Sequence, residues 1–173
     1  MARKAAVVKQ KPAPRRWTYE DYLRLPEDGY RYEVVWGELT MPPSPTSGHQ
    51  RALGNLFSTL LQHVRAGDLG AVYMAPLDVV LAEQNVLQPD ILYIAKERLN
   101  IVTEANVTGS PDLVIEVLSP GTAALDRGRR MDAFAAAGVP YCWLVDPRSR
   151  TFEVYELREE RYAMVQRFVE DEI

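Results

Sequence analysis

Apolar and polar positions alternate with period two from Tyr30 to Trp36, with Tyr30, Tyr32, Val34 and Trp36 on one side and Arg31, Glu33 and Val35 on the other. That is the period of a strand, and it turns Glu33 away from the aromatic residues. Between Ser47 and about Ala66 the period becomes helical. Leu53, Leu56, Phe57, Leu60, Leu61 and Val64 recur at spacings of three and four, Ser47 offers an N-cap, and Gly67 stands where the helix should stop. The β-branched and aromatic runs 71–74, 77–81 and 90–94 predict strands, with a turn at Glu83-Gln84-Asn85. Residues 112–118 are apolar on both faces apart from their acids, the mark of a central strand covered on both sides.

Shorter signals complete the order. Thr18, with Asp21 three positions on, caps a short helix that Pro26 ends. Gly37 permits a turn, and Pro42-Pro43-Ser44-Pro45 cannot form regular ladder bonds, so a surface loop is expected. Thr122 caps a predicted helix to Ala137 that Gly138 stops, although Gly128 inside it costs roughly 1 kcal/mol relative to Ala. A strand over 141–145 and a closing hairpin of 151–157 and 161–168, with one wet face, finish the chain. Helix, strand, helix, several strands, helix, strand, strand is an α/β (α+β) order and implies a mixed sheet flanked by helices.

A length of 173 residues fits one domain, taken as 17–173, preceded by a basic arm over 1–16. That arm holds Arg3, Lys4, Lys9, Lys11, Arg15 and Arg16 without an acid, which leaves −10 on the rest of a chain whose formal charge is −4. The acidic body argues against a protein that coats nucleic acid non-specifically, while the arm is suited either to a phosphate backbone or merely to solubility. The single cysteine, Cys142, excludes an internal disulfide and a cysteine metal cluster, and its apolar neighbours predict a buried, inert thiol. No apolar run approaches the ~20 residues of a membrane span and no secretory stretch opens the chain, so the expectation is a cytoplasmic protein without a membrane partner.

Chemistry enters through two acids. Glu116 lies between Val114 and Leu118 on one face of the central strand, where an ionised carboxylate costs several kcal/mol unless it is paired, hydrogen-bonded or bound to a metal. Asp90 follows Pro89 at the head of the preceding apolar strand, and adjacent strands would let the two acids converge. Few carboxylates, completed by water and phosphate, suit Mg²⁺ or Mn²⁺. The plainer alternative is that Asp90 caps a turn and Glu116 pairs with an arginine of the neighbouring helix.

Gln88-Pro89-Asp90, Ile115-Glu116-Val117-Leu118, Asp126-Arg127-Gly128-Arg129-Arg130 and the run from Gly138 to Pro147, together with 32–38 and His49, resemble a widespread bacterial family of restriction-endonuclease-like proteins. The resemblance covers nearly the whole chain and places it in the PD-(D/E)XK nuclease superfamily. It implies a restriction endonuclease-like mixed β-sheet core flanked by helices, and a Mg²⁺ (or Mn²⁺) dependent DNA endonuclease. By the same resemblance Asp90 and Glu116 are the metal-binding, catalytic acids and Glu33 is a further site acid, whose alternative is a surface acid at a strand edge. The (D/E)XK triplet would read Glu116-Val117-Leu118, without the usual lysine. The family tends to place a lysine on the following helix, and Arg130 stands there. Arginine stays protonated, so Arg130 suits the scissile phosphate or a developing negative charge but not a general base.

Arg127 and Arg130 fall at helical spacing, so both could share the face that meets Glu116, with a solvated face paired with Asp126 as the alternative. Arg127 and His49 are the substrate-binding candidates, though a lone histidine near a helix start is often a polar surface residue. Asp112, four residues before Glu116, is a supporting candidate on the same strand face. The C-terminal hairpin is a candidate homodimer contact. Two other functions compete with the endonuclease: a nuclease-fold protein that binds nucleic acid or a protein without cutting, and, ranked low, a two-carboxylate glycosidase without an evident sugar cleft.

Overall fold

The computed structural model describes residues 15–121 and 123–169, and contains two mixed sheets with helices packed on them. Most of the 1–16 arm and the Thr122 cap lie outside these residues. The elements in chain order are α1 (Tyr19–Tyr22), β1 (Glu33–Val35), β2 (Glu38–Thr40), α2 (Ser47–Ala66), β3 (Gly70–Met74), β4 (Val79–Ala82), β5 (Asn85–Leu87), β6 (Ile91–Ala95), β7 (Val107–Thr108), β8 (Leu113–Val117), α3 (Ala123–Leu125), α4 (Met131–Ala136), β9 (Tyr141–Asp146), β10 (Thr151–Arg158) and β11 (Arg161–Val169). A 3-10 helix over Lys96–Ile101 leads from β6 toward β7.

The sequence suggested one sheet, and the structure has two. The larger runs β11-β10-β9-β8-β6-β3 and the smaller β2-β1-β5-β4-β7. They meet where the chain leaves β5, passes through Gln88-Pro89-Asp90 and enters β6. In the larger sheet only β8 and β9 are parallel, and in the smaller only β4 and β7. The predicted strand over 30–36 shrinks to 33–35, because Trp36 and Gly37 take left-handed φ values of 54° and 72° and make a two-residue hairpin turn to β2. The 83–85 turn is really Glu83-Gln84, and Asn85 already belongs to β5, a strand the sequence reading missed.

Alternation along β8 decides what the sheet buries on each side. Leu113, Ile115 and Val117 pack with Ile91 and with Leu53, Leu56, Phe57, Leu60, Leu61 and Val64 of α2. Val114 and Leu118 face the other way, with Phe134, Val139, Cys142 and Leu144. Glu116 shares that second face and is as buried as its neighbours. The central strand is thus covered on both sides as its composition implied, and Cys142 is a buried free thiol. Helix α2 has the predicted extent, but its N-cap is Thr46, whose hydroxyl accepts from the His49 N–H. α1 has the full capping box of Thr18 and Asp21. Among the described residues no helix is long and apolar enough to cross a membrane.

The predicted helix from Thr122 to Ala137 breaks in two. Between α3 and α4 a wide π-type turn spans Asp126–Arg130, with Gly128 at φ −116° and ψ −105°, outside helical space. The glycine that looked like a helix defect is the residue that lets the chain bulge there.

Gly70 opens β3 at φ +142°, and a Cβ on it would lie 2.1 Å from the carbonyl oxygen of Ile94 on the neighbouring strand β6. Backbone cannot yield as a flexible side chain does. Gly70→Ala is therefore expected to destabilise the protein by about 3 kcal/mol, read as a lower midpoint in urea unfolding monitored by circular dichroism.

Candidate active site

Strands β6 and β8 run antiparallel with Ile91 opposite Ile115, so one step further the ladder brings Asp90 beside Glu116. Both line one pocket of about 270 Å³, along with Arg31, His49, Asp126, Arg130 and a rim from the 42–45 proline loop. The convergence that the spacing suggested is present.

Asp90 is fixed by two contacts on one oxygen. Its Oδ2 accepts the Val117 N–H at 2.8 Å and lies 3.1 Å from Nε2 of His49, which the first turn of α2 brings to the pocket. Asp90 Oδ1 accepts no hydrogen bond from the described residues. His49 is buried, not a surface residue, and its Nδ1 has no partner among the described residues. The Asp90 carboxylate raises the His49 pKa, against burial, which lowers it.

Arg130 is the centre of the second half of the site. The π-type turn aims its guanidinium inward, where it is only 3% exposed. Nη1 donates to Glu33 Oε2, while Nε and Nη2 both donate to Glu116 Oε1, the Nε bond at 3.2 Å. Asp126 Oδ1 is 3.2 Å from Nε. Glu116 Oε2 accepts no hydrogen bond from the described residues. The plainer expectation for Glu116, a partner arginine on the neighbouring helix, is met, and Arg130 uses only one of its oxygens.

Glu33 is wholly buried, so a surface acid at a strand edge is excluded. Its Oε1 accepts the Gln88 N–H at 2.9 Å and a bond from Arg31 Nη2 at 3.2 Å. Arg31 also donates to the Gln88 carbonyl and lines the pocket, yet it was not singled out from the sequence. The signal was there: Arg31 and Glu33 are two apart in an extended segment, so they share a side. Arg127 does not meet Glu116. The bulge at Gly128 rotates it away from Arg130, and it pairs with Glu153 on β10. Asp112 is also elsewhere, accepting from the Ala95 N–H and from Arg98 at the far end of β8.

Burial pushes the Glu116 carboxyl well above the ordinary carboxylate range, Arg130 opposes this, and Asp90 and Asp126 reinforce it. Burial alone would lower the Arg130 pKa, but Glu116, Glu33 and Asp126 more than reverse that and hold it a cation. Burial is thus the main cause for Glu116, and the surrounding carboxyl groups are what raise Arg130.

A family model described as "Putative restriction endonuclease", Uma2, matches residues 19–173. The chain belongs to the Uma2 family. Among solved structures, a protein of Anabaena variabilis ATCC 29413, titled a "putative nuclease belonging to DUF820", superposes with a TM-score of 0.72 at 21% identity, over 85% of this chain and 83% of that one. It shows that the fold is nuclease-like. No curated protein matches. Among the described residues no three or more His, Cys, Asp or Glu side chains form a metal-holding group. The donor set still fits Mg²⁺, which is commonly held by one or two carboxylates with water and substrate completing the shell: Asp90 and Glu116 are two carboxylates lining one pocket.

Removing the buried cation should deprive Glu116 of its ion pair and leave Glu33 with Arg31 alone. Arg130→Met is expected to cost about 3–5 kcal/mol of stability at neutral pH, measured by chemical denaturation. Arg130→Lys, which keeps the charge but not the fork, should fall between it and the wild type.

Proposed function

We propose that this chain is a divalent-metal-dependent DNA endonuclease that hydrolyses phosphodiester bonds at a PD-(D/E)XK-type site. One observation carries the reading: Asp90 and Glu116, from neighbouring strands, enter the same pocket, each anchored through one oxygen and each with its other oxygen accepting no hydrogen bond from the described residues. The family description agrees with it.

In this proposal Asp90 and Glu116 hold Mg²⁺ or Mn²⁺, which when bound supplies positive charge to the phosphate and acidifies water. The chain's own residues do the rest. Val117 N–H and His49 orient Asp90, while Arg130 fixes Glu116 and faces the phosphate with its remaining charge. Glu33 holds Arg130 and Arg31 together, so the cations are positioned before substrate arrives. Arg31 and His49, both lining the pocket, contact the phosphate that bridges the cleaved bond. Arg127, paired with Glu153 outside this pocket, is left as a contact for DNA beyond the cleaved phosphate. A protein that binds without cutting is the second reading, favoured by the lack of a third acidic or histidine ligand among the described residues.

Supercoiled and single-stranded DNA, incubated with Mg²⁺ or Mn²⁺, should be cut by the wild type and not by Asp90→Asn or Glu116→Gln. Independently of cutting, Mn²⁺ at about 100 times its Kd should stabilise the wild type by roughly 2.7 kcal/mol in a thermal shift measurement, and neither variant. Cutting that survives in both variants would refute the assigned acids. Neither cutting nor a metal-induced shift would favour the binding protein.

A further inference from the structure

Trp36 stands in a backbone conformation that suits asparagine or glycine. At φ 54° it occupies the first central position of the β1–β2 turn, where a bulky residue is strained. Burial does not explain it, since the residue is 39% exposed. The strain is held in place from three sides. Trp36 N–H donates to Asn85 Oδ1 at 2.7 Å, its indole Nε1 donates to the Arg129 carbonyl at 3.1 Å, and Gly37 N–H donates to the Gln84 carbonyl at 2.9 Å.

The surroundings share one character. Trp17 is fastened beside this turn by its N–H to the Gly37 carbonyl at 2.8 Å. Trp17 and Trp36 are walls of a cleft of about 720 Å³ whose other lining includes Arg15, Arg16, Arg129 and one acid, Glu38. Arg15 lies over the Trp17 ring at 5.6 Å, and Arg129 pairs with Glu38. Two indoles within a rim of three arginines are the elements of a single-strand nucleic-acid site, where bases stack on aromatic faces and cations follow the phosphates. The cleft and the active-site pocket share no lining residue, but consecutive residues of one bulge line them, Arg129 the cleft and Arg130 the pocket. Arg129 precedes Arg130 in the same bulge and donates to the Val35 carbonyl, two residues along β1 from Glu33.

We infer that this cleft binds an unpaired nucleotide of a single DNA strand, its base stacked on Trp36 and its phosphates met by Arg16 and Arg129. The inference rests on the endonuclease reading for the identity of the polymer, and adds that the substrate is single-stranded or locally unpaired beside the cleaved bond. Strain at an exposed aromatic residue is then the cost of presenting a rigid stacking face at a fixed place.

The test is equilibrium binding in EDTA, by anisotropy of labelled oligo(dT) of about 20 nucleotides and of a duplex of equal length. Trp36→Asn keeps a residue suited to the turn and removes the ring, so single-strand affinity should fall about tenfold, with Trp36→Tyr close to the wild type. A separate variant, Arg16→Gln, leaves the turn intact and should reduce the salt slope of log K by about 0.7. Circular dichroism melts identify any variant that fails to fold, and Arg16→Gln then decides the matter. Single-strand binding unchanged in both Trp36→Asn and Arg16→Gln, or wild-type binding no tighter to the single strand than to the duplex, would overturn the inference. Because no metal is present, neither result depends on cleavage, and loss of cutting in Asp90→Asn remains the separate test of the active site.

Discussion

One buried guanidinium organises this molecule. Arg130 bonds Glu33 of β1, Glu116 of β8 and sits against Asp126 of its own bulge, so a single side chain ties the smaller sheet, the larger sheet and the α3–α4 segment together. Each of those carboxyl groups would be costly where it lies without a cation, and the cation would be costly without them. Neither sheet can shift relative to the other, nor the bulge unwind, without leaving one of these charges uncompensated. The apolar cores on both faces of β8 supply the bulk of the burial, but they are non-directional and do not fix where Glu33 lies relative to Glu116.

The same arrangement leaves the site with more negative than positive charge. Among the described residues, Glu33, Glu116, Asp126 and Asp90 surround Arg130 as the one fully buried arginine or lysine, with Arg31 only partly buried and His49 held by Asp90. A folded protein that sought only stability would match the two signs or replace them with apolar groups of similar volume. Here the acids are kept, and burial, reinforced by Asp90 and Asp126, raises the Glu116 carboxyl well above the ordinary range against the opposing effect of Arg130.

Most of the scaffold was legible because its signals are long or strongly periodic. The twenty residues of α2, the central strand β8 and the C-terminal hairpin follow from spacing alone. β5 was missed because three residues do not establish a period, and Asn85 reads locally as a turn. Asp90 and Glu116 were legible because an acid inside an apolar strand is anomalous by itself. Arg127 was misplaced because regular helical spacing was carried across Gly128, where the backbone is not helical, and Arg31 was overlooked although it shares a strand side with Glu33.

Arginine at position 130 also constrains what chemistry the site can perform. It remains protonated, and its three carboxyl neighbours strengthen that state. It therefore cannot serve as a general base. What it can do is electrostatic and geometric: it holds Glu116 by one oxygen, which directs the other elsewhere, and it adds a fixed positive charge to the wall of the pocket. A lysine in the same place would present a single ammonium with rotatable donors and could not bond Glu33 and Glu116 through a rigid planar fork. The geometry of Glu116 thus depends on the guanidinium's shape as well as its charge, and the arginine is a constraint on the acid before it is a contact for substrate.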